Sequence, residues 1–131
     1  MLTPSDLRNI AQARLQDAHI LLANGRYDGA GYICGYAVEL TLKARICDTL
    51  NWPAFPQTPK EFTNYTSFKT HSLVVLLSLS GREQLIKQNH LADWSFVCQW
   101  NPEDRYRIAG GISANDAQQF LASTNALLAL I

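Results

Sequence analysis

Residues 32–46 read YICGYAVELTLKARI, and the spacing within this stretch decides the fold. Placed at about 100° per residue, Ile33, Ala37, Leu40, Ala44 and Cys47 fall on one face of a helix. Gly31, Gly35, Val38, Leu42 and Ile46 fall on the opposite one. A helix that is apolar on two sides is a central helix, covered from two directions. The only polar strip carries Tyr32, Glu39 and Lys43. The helix is expected to run from Asp28, as its cap, to about Leu50. Gly31 and Gly35 each cost roughly 1 kcal/mol of helix propensity against Ala, and they would let a neighbouring backbone approach closely. Glu39 and Lys43 stand in the favourable acid-then-base order at i,i+4, worth about 0.2–0.5 kcal/mol if exposed. If they are buried, the pair needs further hydrogen bonds to offset desolvation. A structural or interfacial pair is the expectation.

On the N-terminal side, TPSD offers Thr3 as a cap, Pro4 at the first helical position and Asp6 as the capping-box acid. Leu7, Ile10, Ala11, Leu15, Ala18, Leu21 and Leu22 follow at helical spacing, and Gly25 is the stop. On the C-terminal side, Pro53, Pro56 and Pro59 exclude helix and predict an extended crossing anchored by Trp52 and Phe55. A third helix is expected from about His71 to Leu79, closed by Gly81. One further helix or two short ones should follow within REQLIKQNHLADWSFVCQW. Asn101-Pro102 ends regular structure, and NPEDRYRIAGG reads as a loop. Ser113 caps the last helix with Asp116 in the acid position, and Phe120, Leu121, Thr124, Leu127, Leu128 and Ile131 face the core. The sum is an all-α fold: an up-and-down bundle of four or five helices, with a Pro-rich crossover between helices 2 and 3, in a single domain over residues 1–131.

The totals narrow the function classes. The 11 Lys and Arg balance the 11 Asp and Glu, so no global field draws this chain to nucleic acid or to an anionic membrane. The Cys count of 3 is odd and has no paired spacing, which argues against a disulfide framework; Cys34 and Cys47 read as small core hydrophobes. The first residues lack the basic start and apolar run of a signal peptide, and no window reaches the apolar length of a membrane span. A soluble cytoplasmic protein is the expectation. No metal site stands out, because His19, His71 and His90 are far apart and none shares a helix face with a Cys or carboxylate at ligand spacing. Nothing implies a cofactor. Gly110-Gly111 lacks the strand and helix flanks of a phosphate loop.

ANGRYDGAGYICGYAVELTLKARI, then FKTHSL, then EDRYR, resembles the HEPN domain family, small all-helical prokaryotic domains found alone or beside nucleotidyltransferases. The first piece resembles the family's GRYDxAxYxxxxAxExxLKA hairpin. The resemblance implies a helical bundle, frequent homodimers, and nucleotide or RNA binding, often in toxin–antitoxin-type systems or beside a nucleotidyltransferase. Its RNase members carry, late in the chain, an Arg followed within a few residues by a His. Arg14 and His19 have that spacing on the first helix instead, about 140° apart around the axis, where His19 reads as a packed or partly exposed core-edge residue. Arg105 and Arg107 have no His after them, and Arg82 and His90 are too widely separated. Catalysis by the family mechanism is therefore not expected.

The candidate nucleotide- or phosphate-binding residues are Arg105, Tyr106 and His71. A guanidinium fork can hold a phosphate and a tyrosine ring can stack a base. At a helix N-terminus His71 could meet an anion with the backbone amides, or simply cap the helix. The competing reading has Arg105 bridging Glu103 or Asp104 while Tyr106 packs under the loop. Three functions remain open: a binding module for nucleotide, RNA or a nucleotidyltransferase; a metal-independent RNA-cleaving toxin using Arg105 with His71 or His90; and a structural module with the second helix as its dimer seam.

Overall fold

The structure, a computed structural model, describes residues 2–107 and 109–131. The described residues are all-helical, with six α-helices and two 3-10 turns and no strand. The first helix, α1 (Pro4–Ala23), starts at the expected capping box. The Thr3 hydroxyl accepts from the Asp6 amide at 3.1 Å, and the Asp6 carboxylate accepts from the Thr3 amide at 3.1 Å. Two of the helix's orphan donors are thereby satisfied. Leu7, Ala11, Leu15 and Ala18 form its buried stripe.

After a tight turn at Asn24 and Gly25, α2 (Tyr27–Leu50) runs back along α1. It is the central helix: α1, α3 (Leu73–Ser80) and α6 (Ala114–Leu128) all pack on it. Both apolar faces are thus covered within one chain, and Val38, Leu42 and Ile46 are fully buried. Each such aliphatic side chain contributes about 2 kcal/mol on burial. The close approach that the glycines permit is made by side chains rather than by a backbone. The Trp100 indole fills the space a Cβ on Gly35 would need, while Ile112 and Phe120 come within 3.0 and 3.3 Å of the corresponding position on Gly31.

Two boundaries differ from expectation. No side chain caps α2, whose N-cap is Arg26; Asp28 lies inside the first turn and is engaged elsewhere. The third helix begins at Leu73, because the Ser72 hydroxyl takes up the Val75 amide and leaves His71 ahead of the cap. Gly81, at φ +79°, closes it as expected. The next stretch gives two short helices, α4 (Glu83–Asn89) and α5 (Leu91–Val97), broken at His90. This raises the helix number above four or five.

The connection between α2 and α3 contains no α-helix. Its Pro53–Pro56 portion makes one antiparallel bridge, Phe55 amide to Leu2 carbonyl at 2.8 Å; turns and a 3-10 turn (Thr66–Phe68) follow in place of a continuously extended chain. Trp52 stacks obliquely on Phe68 and edge-on to Tyr65, at 4.8 and 4.9 Å, and buried Phe55 meets Phe62. The aromatics therefore anchor this segment. Cys34 and Cys47 are buried free thiols, both pushed up to about 11 by burial. They act as core groups and not as nucleophiles.

Candidate functional site

The polar strip of α2 includes one residue more than the sequence suggested, Tyr36. Tyr32, Tyr36, Glu39 and Lys43 follow at alternating four- and three-residue steps, and so share one side of the helix. The Tyr32 and Tyr36 hydroxyls are 3.0 Å apart and their rings meet edge to face at 5.1 Å. The bond to Tyr32, with burial, pushes the Tyr36 phenol up to about 12. Tyr36 also meets the Trp100 ring edge-on at 5.0 Å, and the Trp100 indole N–H donates to the Tyr32 carbonyl at 2.9 Å.

Further along the strip, the Glu39 side chain is only 4 % exposed and has two partners. His71 Nδ1 lies 2.6 Å from Oε1, and Lys43 Nζ lies 3.4 Å from Oε2. The expected pair is a trio, and its buried acid is compensated from both sides within this chain. His71 does not cap α3; it reaches back to α2 and keeps Nε2 available, its side chain 62 % exposed. Lys43 also lies over the Phe55 ring at 5.4 Å.

Arg105 and Tyr106 sit in a 3-10 turn (Pro102–Tyr106) that the sequence read as plain loop. Asn101 and Asp104 close that turn with a reciprocal capping box. Asp104 also pairs with Arg107 at 3.0 Å. Of the two carboxylates expected for Arg105, Asp104 therefore serves Arg107, Glu103 acts on Arg105 only at a distance, and Arg105 makes no ion pair among the described residues. Nor does Tyr106 pack under the loop: it is 72 % exposed, with the Arg105 guanidinium 4.8 Å above its ring. The neighbouring hydroxyls of Tyr106 and Tyr32 raise the hold of Arg105 on its proton.

The loop is held by a contact the sequence did not reveal. The Asp28 carboxylate accepts from the Gly110 amide at 2.6 Å and from the Ile112 amide at 2.8 Å. This tethers the far end of the loop to the first turn of α2, with Gly110 at φ +87°. Between them lies a cleft of about 380 Å³, walled by Arg26, Tyr32, Arg105 and Arg107 together with Asp28 and Asp104. His71 does not line it. That residue borders a different cleft, beside Lys43 and Phe55, so Arg105 and His71 fall in separate clefts, while Tyr106 stands beside Arg105 without lining either.

Residues 4–53 match the family model for the HEPN domain. The α1–α2 hairpin is thus similar to that of the HEPN domain. The match supports the resemblance read from the sequence and covers both helices that position the tyrosine strip and Glu39. No curated protein and no solved structure matches the chain. Of the other two histidines, His90 is accounted for by its contacts. His90 and buried Ser123 both bond to Asp93, at 3.1 and 2.8 Å, fastening α5 to α6. His19 is exposed rather than at the core edge, and Arg14 pairs with Asp17 at 3.1 Å. Among the described residues no three His, Cys, Asp or Glu side chains gather where a metal could bind, and no helix is long and apolar enough to cross a membrane.

Proposed function

We propose that this HEPN-like protein is a cytoplasmic binding module for a nucleotide or single-stranded RNA, acting without catalysis. The observation that carries this reading is the Arg105 guanidinium over the exposed Tyr106 ring, at the edge of a cleft where Arg26 and Arg107 add positive charge. Arg105, which makes no ion pair among the described residues, takes the phosphate in its fork; Tyr106 offers a face to a base. Arg26 contributes a second cation, while Arg107 is partly neutralised by Asp104. Such a module works as a homodimer or beside a nucleotidyltransferase, in a toxin–antitoxin-type pair. Because both apolar faces of α2 are used internally, a dimer would form through another face.

Fluorescence anisotropy with a labelled single-stranded RNA tests the reading. Wild type should bind, and Arg105→Ala and Tyr106→Ala should each weaken binding by about tenfold, the loss of one phosphate fork or one stacked base. Absence of binding at micromolar protein, or variants indistinguishable from wild type, would overturn it.

A second reading, RNA cleavage by Arg105 with a histidine, draws on one feature. Glu39 bonds Nδ1 of His71 and leaves Nε2 free, an arrangement suited to a general base. It ranks second because His71 and Arg105 border different clefts. Dose-dependent RNA cleavage, abolished by both Arg105→Ala and His71→Ala, would put it first.

A further inference from the structure

A second cleft, also of about 380 Å³, opens where α1, α2 and the α2–α3 connection meet. It shares no lining residue with the arginine-lined one. Its walls are apolar and largely aromatic: Leu7 from α1, Leu40 from α2, and Phe55, Phe62 and Phe68 from the connection. The volume is that of a small-molecule site, and such sites combine an apolar lining with a few placed polar groups.

Here the polar lining is two neutral side chains, Gln57 and Thr70, and ionisable groups that are all basic. Lys43, Lys69 and His71 border the cleft, and no carboxylate does. Lys69 is exposed and forms no ion pair among the described residues. Lys43 is held over the Phe55 ring, its ammonium 3.4 Å from Glu39, at the long end of a hydrogen bond. Glu39 lies behind His71 and Lys43 and orients both without entering the cleft. A ligand with a flat apolar body would meet aromatic rings, and its anionic group would find two lysines among the lining residues.

We infer that this cleft binds an amphipathic organic monoanion, an aromatic carboxylate in chemical class, with the ring between Phe55, Phe62 and Phe68 and the carboxylate at Lys69 and Lys43. The neutral ring supplies burial, and the cations select the charge. An alcohol of the same shape should bind more weakly, and an ammonium more weakly still.

The test is isothermal titration of the whole chain with naphthoate, naphthalenemethanol and naphthylmethylammonium. Naphthoate should bind saturably at one site, about fivefold or more tighter than the alcohol, the equivalent of one solvent-facing ion pair. Lys69→Glu should remove that preference while leaving the melting temperature of the free protein and its RNA affinity unchanged. Absence of saturable naphthoate binding, equal affinity for the alcohol, or an unaltered preference in Lys69→Glu would each overturn the assignment. So would competition between the RNA and naphthoate, which would place both in one site. RNA binding can fail with naphthoate binding intact, so the two readings are separable.

Discussion

Trp100 occupies the space that a side chain on Gly35 would need, and its indole N–H closes the contact by donating to the Tyr32 carbonyl. A flat ring on a bare helix backbone cannot step aside, because Tyr36 also meets it edge-on. Gly35→Ala should therefore destabilise the fold by about 2 kcal/mol, overpacking outweighing the roughly 1 kcal/mol gained in helix propensity. Urea unfolding followed by tryptophan fluorescence measures this. A variant as stable as wild type would show that the indole is free to move.

Asp28 holds the loop rather than the helix. Asp28→Ala should leave the core intact and free the Gly110 and Ile112 amides, costing about 1–2 kcal/mol in local opening. Hydrogen exchange read residue by residue should show those amides speeding up while the buried part of α2 stays protected. Unchanged exchange at both amides would refute the tether.

The Glu39 trio makes a further prediction. Glu39→Gln keeps the shape but removes the charge between His71 and Lys43, and should cost about 1–3 kcal/mol. Lys43→Met should cost less, because its loss still leaves His71 on the carboxylate. Chemical denaturation of the two variants ranks them. The reverse order would mean that Lys43 is held chiefly by its contact with Phe55.

Asp93 sets an acid limit. The hydrogen bond from His90, then that from Ser123, hold its carboxyl below the ordinary value of 3.8. A depressed folded-state pKa contributes stability that is present above the unfolded value and is lost as pH falls through the folded one. Asp93→Asn should therefore flatten the fall in stability below about pH 4. Thermal melts across an acid series would expose this, and parallel curves for the two proteins would remove Asp93 as a cause.

Local signals and long-range contacts explain what could be read in advance. The Thr3–Asp6 box, the Ser113 cap and the double apolar face of α2 each involve residues within a few turns of one another, where spacing alone fixes the geometry. The family signature likewise lies in the hairpin, where the family match also falls. The site depended on partners distant in sequence. Asp28 is 82 residues from Gly110, Tyr32 is 68 from Trp100, and Glu39 is 32 from His71. Periodicity carries no information about such pairings, so Asp28 read as a cap and His71 as a helix terminus. Arg105 and Tyr106 were legible as residue types, but their stacking and the diversion of Asp104 to Arg107 were not.

Tyr32 faces two ways. Its backbone carbonyl receives the Trp100 indole, while its hydroxyl adjoins Tyr36 and the Arg105 guanidinium. A phosphate that draws Arg105 outward changes the polarity beside a ring already touching that indole. Occupancy of the arginine-lined cleft should therefore be readable, without any label, in the emission of a single native tryptophan once Trp52 and Trp94 are replaced by phenylalanine.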